Sequence, residues 1–301
     1  MTDVLGVCES WGDGEVVLRR ERGDLVRVPI SDVVAGKPVP PRPLPQLRIS
    51  AADADRRVVP GWPAIETEPL GDWLLRASGG FSNRANSVLA LGDPGLPAEE
   101  VLPRLSQWYD ARGLRPRAQV VADDPITTVF EQGGWERYTP TTLMLASVSR
   151  ALRLLPRADV QVRHAPTLDA GWLATDERAA QHGESARHVL ESSLAGAEIT
   201  LATMREDDEV LARGRGAFHD DWLGVSSLWT RPGQRGRGLG TAVLRSLLEW
   251  GAERGATTAY LQVVTENSAA IDLYQRSGFR AHHDYVYYAG PAEGQGRQDG
   301  R

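Results

Sequence analysis

One cysteine, Cys8, and one lysine, Lys37, occur in 301 residues. A single thiol excludes an internal disulfide framework and any metal site built from several cysteines. No apolar run approaches the roughly 18 residues that a bilayer-spanning helix needs. The opening stretch, MTDVLGVCESWGDGE, has no basic segment followed by an apolar one, so no secretory signal is read there. These absences point to the cytoplasm and away from the membrane. Acidic residues outnumber basic ones, 40 to 34, for a formal net charge of −6. That balance argues against a broad nucleic-acid surface. Because Lys37 is the only lysine, the positive charge is almost wholly arginine, which stays ionised and offers a planar fork of donors. The remainder is ordinary for a globular chain, at 41% hydrophobic and 25% charged residues, and its length suits two or three domains.

Residues 1–45 read as a small β module with a linker. VLGVCESW, EVVLRRE and DLVRVPI cluster strand formers around turns at Gly12-Asp13-Gly14 and Arg22-Gly23-Asp24. A barrel-like closure is expected, and Cys8, with no base partner in view, reads as a buried structural residue. Gly36 to Pro45 is proline-rich and reads as a stiff, extended linker. Residues 46–150 read as mixed α/β, with a strand over Asp72–Arg76, a helix over Pro97–Arg112 and a strand over Ala118–Ala122. Residues 151–290 repeat the alternation more clearly, and 291–301, PAEGQGRQDGR, reads as a disordered tail. The two middle segments resemble each other. QWYDARGLRPRAQVV (107–121) parallels EWGAERGATTAYLQVV (249–264), and FEQGGWERY (130–138) parallels YQRSGFRAH (274–282).

The strongest local signal is a strand, Leu223–Thr230, a proline turn at Arg231-Pro232-Gly233-Gln234, the run Arg235-Gly236-Arg237-Gly238-Leu239-Gly240, and an amphipathic helix from Thr241. Glycines allow successive N–H groups to converge, and a helix N-terminus adds the positive end of its dipole, so a phosphate or diphosphate is expected there. The spacing is not the G-x-G-x-x-G of a dinucleotide fold, and no Gly-Lys-Ser/Thr of a P-loop is present. Downstream come Tyr260–Val264, then Glu266-Asn267-Ser268-Ala269-Ala270 and Leu273-Tyr274 ahead of Gly278-Phe279.

The Arg-x-x-Gly-x-Gly loop followed by Asn-x-x-Ala, Leu-Tyr and Gly-Phe resembles the GNAT N-acetyltransferase superfamily, most specifically over residues 195–290. The whole plan is similar to actinobacterial tandem-GNAT proteins with an N-terminal SH3-like module. The resemblance implies an α+β tandem GNAT fold, with a mixed, largely antiparallel sheet flanked by helices. It implies transfer of an acetyl group from acetyl-CoA, as co-substrate, to a primary amine by direct attack in a ternary complex, with no metal. By resemblance the backbone of Leu228, Trp229 and Thr230 pairs with the pantetheine arm, and the first of these N–H groups polarises the thioester carbonyl. The backbone of Arg235, Gly236, Arg237, Gly238, Leu239, Gly240 and Thr241 holds the diphosphate. Asn267 contacts the arm while also suiting a helix cap, Ala270 lines it, and Tyr274 is the general acid.

The base is not named by the sequence; Asp221, His219, Asp220 and Glu266 compete. At the repeat position of Tyr274 the earlier segment has Phe130, and it carries no Arg-x-x-Gly-x-Gly loop. That segment is therefore expected to complete the acceptor pocket, through the polar run Gly79–Ser87, rather than to bind the coenzyme. His282-His283-Asp284 has no further organised ligands, so no metal is assigned. The acceptor is a small-molecule or protein amine, and residues 1–35 offer a surface for a protein partner. A mycothiol-synthase-like acetyltransferase and a non-catalytic acyl-CoA-binding module are the alternatives.

Overall fold

In the computed structural model, residues 3–20, 23–37, 45–192 and 196–291 are described. The expected linker and tail lie largely outside them, at 38–44 and 292–301. The chain divides into two compact units, Met1–Pro43 and Leu44–Arg301.

In the first unit β1 (Val7–Gly12) and β2 (Glu15–Arg19) are joined by Asp13 and Gly14, at φ 51° and 81°. Two left-handed residues in a two-residue loop make the tight turn whose twist matches paired strands, which is why Asp-Gly stands there. β3 (Leu25–Pro29) completes an antiparallel sheet in the order β1-β2-β3. Among the described residues this sheet is open, with β1 and β3 at its edges, and no barrel closure is shown. Only Val16 and Val17 are buried in it. Cys8 corrects its expectation: it is exposed on edge strand β1, where a short sheet has no second layer to cover it.

The second unit runs α1 (Ala51–Val58), β4 (Glu66–Leu70), β5 (Trp73–Ala77), β6 (Val88–Ala90), α2 (Ala98–Asp110), β7 (Arg117–Val121), α3 (Thr127–Gln132) and β8 (Glu136–Ser147). It continues with α4 (Val148–Leu154), β9 (Arg163–Ala165), α5 (Ala170–Leu173), α6 (Glu177–Glu191), β10 (Glu198–Glu206), β11 (Glu209–His219) and β12 (Trp222–Thr230). It ends with α7 (Leu239–Glu253), β13 (Thr258–Val264), α8 (Ser268–Arg276) and β14 (Arg280–Ala289). Eleven strands form one sheet in the order β4-β5-β6-β7-β14-β8-β13-β12-β11-β10-β9. The pairs are antiparallel except β6–β7 and β12–β13, each of which is spanned by a crossover helix, α2 or α7. The helix–strand–helix–strand series α2-β7-α3-β8 recurs as α7-β13-α8-β14. Each series gives its last strand away: β8 pairs with β13, and β14 pairs with β7.

Alternation sorts the side chains onto two faces. Leu223 and Val225 of β12 join α7 and α4 in one core, while Trp222 joins α1 in another. α7 seats closely because β11 carries glycine beneath it: a Cβ at Gly214 would lie 2.9 Å from Leu247 Cδ1, and one at Gly216 would lie 3.1 Å from its Cδ2. No helix among the described residues is long and apolar enough to cross a membrane. Leu247 is fully buried at this contact. Leu247→Ala is expected to cost about 3 kcal/mol, the transfer and cavity terms together, measured as a lower denaturation midpoint in urea.

Candidate active site

β12 and β13 run parallel but pair only from Trp222–Thr258 to Gly224–Tyr260. Beyond that register the strands part. At the last pair Gly224 makes room for Tyr260: a Cβ on Gly224 would lie 2.5 Å from Tyr260 Cζ, so the ring covers the face of the strand there. The same ring reaches Gly61, where an added Cβ would meet its hydroxyl at 1.8 Å, and Tyr260 Oη donates to Val58 O at 3.3 Å. Burial pushes this phenol up to about 12.

A strand that loses one neighbour leaves alternate N–H and C=O groups of residues 225–230 pointing into the opening. A bulge lies here too. Ser227 sits at φ 53°, and the β11–β12 register shifts between Arg213 and Arg215. Buried Arg213 holds the bulge, with Nη1 donating to Ser227 O at 2.8 Å and Nη2 pairing with Asp176 at 3.0 Å. Its Nε also donates to Thr175 Oγ1 at 2.7 Å, so the α5–α6 turn and the bulge are fixed by one guanidinium.

The chain then turns through Pro232–Gln234 into the glycine run. Gly236 and Gly238 take φ of 78° and 79°, which glycine adopts without strain, and α7 starts at Leu239. Among the described residues no protein acceptor meets the N–H groups of residues 236–241, and α7 has no side-chain cap. A Cβ at Gly233, Gly236 or Gly238 would meet nothing within 4 Å. This is a bare row of donors at the positive end of a fifteen-residue helix, with space in front of it, which suits a diphosphate. The Arg235 and Arg237 side chains are exposed; Arg237 bonds Gln234 Oε1, and Arg235 Nε reaches Thr230 O at 3.4 Å.

The opposite lip is the start of α8. Asn267 caps it, its Oδ1 accepting from Ala270 N–H at 3.2 Å. Leu228, Ala270 and Tyr274 all pack on the core beneath α7, so the predicted arm-binding strand, the arm-lining alanine and the predicted acid border one apolar bed. Tyr274 stands edge-on to Phe279 at 5.9 Å, and burial pushes its phenol up to about 12.

The rivals for the base separate by position. Asp221 precedes β12 at its paired end, and both its oxygens are taken, by Arg57 at 2.5 Å and Thr257 at 2.6 Å. His219 is buried at the same end, 3.4 Å from Tyr260 Oη, and Asp220 is exposed in the adjoining turn. Only Glu266, exposed between β13 and α8, lies at the open end. Phe130 is buried in the core beside α2, far in function from a proton donor. The run Gly79–Ser87 is a stiff loop. Asn86 Oδ1 accepts from Ser78 N and Gly80 N, while Nδ2 donates to Phe81 O and Ser82 O. Sequence reasoning passes over Ser226 and Gln262, each two residues beyond the last β12–β13 pair on the Tyr260 side. Their signal was a polar residue within an otherwise apolar strand. No cluster of three or more His, Cys, Asp or Glu side chains among the described residues is arranged to hold a metal ion.

A parted parallel pair, a glycine turn and a crossover helix over a mostly antiparallel sheet define a GNAT-type N-acetyltransferase. The model of the family described as "Probable histone acetyltransferase Rv0428c C-terminal" matches residues 52–288, and the chain belongs to this GNAT family. The "Probable histone acetyltransferase Rv0428c" of Mycobacterium tuberculosis is 28% identical over 289 residues, 95% of this chain and 88% of its own. A "Mycothiol acetyltransferase" of Clavibacter sepedonicus is 32% identical over 74% of this chain and 72% of its own. A solved GCN5-related N-acetyltransferase from Kribbella flavida has the same fold, with a TM-score of 0.58 at 18% identity, over 80% of this chain and 94% of that one.

Three histidines, His164, His219 and His282, are held below the ordinary imidazole value of 6.5, each first by burial. Below that value the unfolded chain takes up protons that the folded chain refuses, so stability falls as pH falls. Urea midpoints are expected to be steady from pH 8 to about 7 and to drop progressively below about 6.5.

Proposed function

We propose that this protein transfers an acetyl group from acetyl-CoA to a primary amine by direct attack in a ternary complex. The observation that carries the reading is the row of unpartnered amides from Gly236 to Thr241 beside a strand whose backbone has lost its neighbour. When bound, the coenzyme supplies the acetyl group as an activated thioester. The amides of 235–241 hold its diphosphate, and the backbone of Leu228, Trp229 and Thr230 holds its pantetheine arm. Leu228 N–H stabilises the oxyanion, a role in which a fixed donor is worth several kcal/mol, about 10²–10³ in rate. Asn267 caps α8 through Oδ1 and keeps its amide NH₂ for the arm, which Ala270 lines. Tyr274 Oη holds the proton that a departing sulfur needs; with its phenol raised to about 12 it stays protonated at neutral pH. Glu266, at the open end, is the acidic group placed to draw a proton from the incoming ammonium through water.

The relatives' names carry two different compounds, one a histone and the other mycothiol. The 32% identity to the mycothiol enzyme keeps a mycothiol-synthase-like acetyltransferase as a second reading on the same machinery. Tyr274→Phe retains the ring on Phe279, so acetyl-CoA affinity is expected to stay unchanged while turnover falls about 10²–10³-fold, followed as free thiol released. Equal turnover in the variant removes Tyr274 from the acid role. Gly238→Glu forces a side chain into a left-handed position and sets a carboxylate before the amide row. Acetyl-CoA binding by calorimetry is expected to disappear, and full affinity in that variant overturns the placement of the diphosphate.

A further inference from the structure

On the Tyr260 side of the sheet the buried charges do not balance. Asp55 is the only buried carboxylate among the described residues, and it faces His283 at 3.3 Å. Against it stand Arg76 and Arg215, both fully buried and without a carboxylate partner. Arg76 donates to Ser87 O, Ser87 Oγ and Gln119 Oε1. Arg215 donates to Gly61 O and Leu190 O, each at 2.7 Å. Carbonyls satisfy their donors but leave their charge uncompensated.

Arg84 is different in kind. Among the described residues it makes no hydrogen bond and no ion pair, and its Nε is sealed from solvent without a partner. Its guanidinium lies 5.0 Å over the Trp62 ring, and that of Arg215 lies 5.1 Å from the same ring. Arg215 is the register partner of Ser226 on β12, one lip of the opening. Across the opening, on β13, stands Gln262. Ser226 Oγ and both amide atoms of Gln262 are likewise buried without partners. The loop that presents Arg84 is fixed by the four hydrogen bonds of Asn86, so the cation is held in place rather than free to seek a partner. A fixed guanidinium with free donors, in a field already positive, is built for a carboxylate.

We propose that Arg84 receives a carboxylate carried by the acceptor, so that the amine substrate is an amino acid or a short peptide bearing a free carboxylate, with Ser226 and Gln262 bonding its polar groups. This rests on the acetyltransfer reading and names the acceptor class for that site. Arg84 is a specificity residue here, supplied by the half of the sheet that has no glycine turn of its own.

The test compares amino acids with their amides as acceptors at saturating acetyl-CoA, in the wild type and in Arg84→Gln. The variant leaves no described protein group unpaired, because Arg84 bonds none among them. The wild type is expected to prefer the acids by about tenfold or more in kcat/KM, the usual size of a charge-assisted contact. Arg84→Gln is expected to bring the acid-to-amide ratio near one with acetyl-CoA affinity unchanged. No preference in the wild type, or an equal fall for acids and amides in the variant, overturns the proposal. N-acetyl amino acids and their amides, titrated by calorimetry, give the same comparison without turnover. An acid preference lost in Arg84→Gln supports the proposal, and equal binding of acids and amides by the wild type overturns it. Loss of acetyl-CoA binding in the wild type itself, measured alongside, strikes the acetyltransfer reading and not Arg84.

Discussion

The site exists where two parallel strands stop pairing at Gly224–Tyr260 and one of them bulges at Ser227. Tyr260 lies where any side chain at Gly224 would stand, and it needs Gly61 to make room on its far side. Hydrogen bonding between β12 and β13 stops at that pair. Backbone groups that a sheet would normally consume are thereby left to a ligand, at the end of the strands where the crossover helix begins. The bulge at Ser227 and the grip of Arg213 on its carbonyl keep the released strand in one shape, so these donors are preorganised.

Arginine carries much of the interior, which gives the near absence of lysine a structural sense. A guanidinium has five donors in a plane and can tie several carbonyls at once. Arg245 of α7 donates to Leu152 O and Leu155 O, fastening the helix to the end of α4. Arg213 joins the α5–α6 turn to β12, and Arg215 joins the end of α6 to Gly61. An ammonium would satisfy fewer of these oxygens and would be more costly to dehydrate.

What the sequence discloses follows from how local each cause is. The turn at Gly236 and Gly238 is legible because left-handed backbone calls for glycine, and the Asn267 cap because one side chain serves an N–H three residues on. The helix at 98–110 shows in its spacing and its stop before Gly113. Cys8 misleads, since its apolar surroundings in sequence become the bare face of a thin sheet. The surroundings of Asp221 are not legible either: adjacency to the strand is local, but its partners Arg57 and Thr257 are far off along the chain. The pairing of β8 with β13 and β14 with β7 is wholly non-local, and nothing in either segment's alternation distinguishes it from pairing within its own half. Arg84 is visible as part of a polar run, but its lack of an acceptor among the described residues appears only once the chain has folded.

The traded strands give the half that lacks a glycine turn a mechanical hold on the other. β8 is hydrogen-bonded to β13 from Ser147–Thr258 to Thr141–Val264, along the full length of the strand that forms one jaw of the cleft. The half without a glycine turn thus supplies the pairing partner of the strand that carries Tyr260 and Gln262.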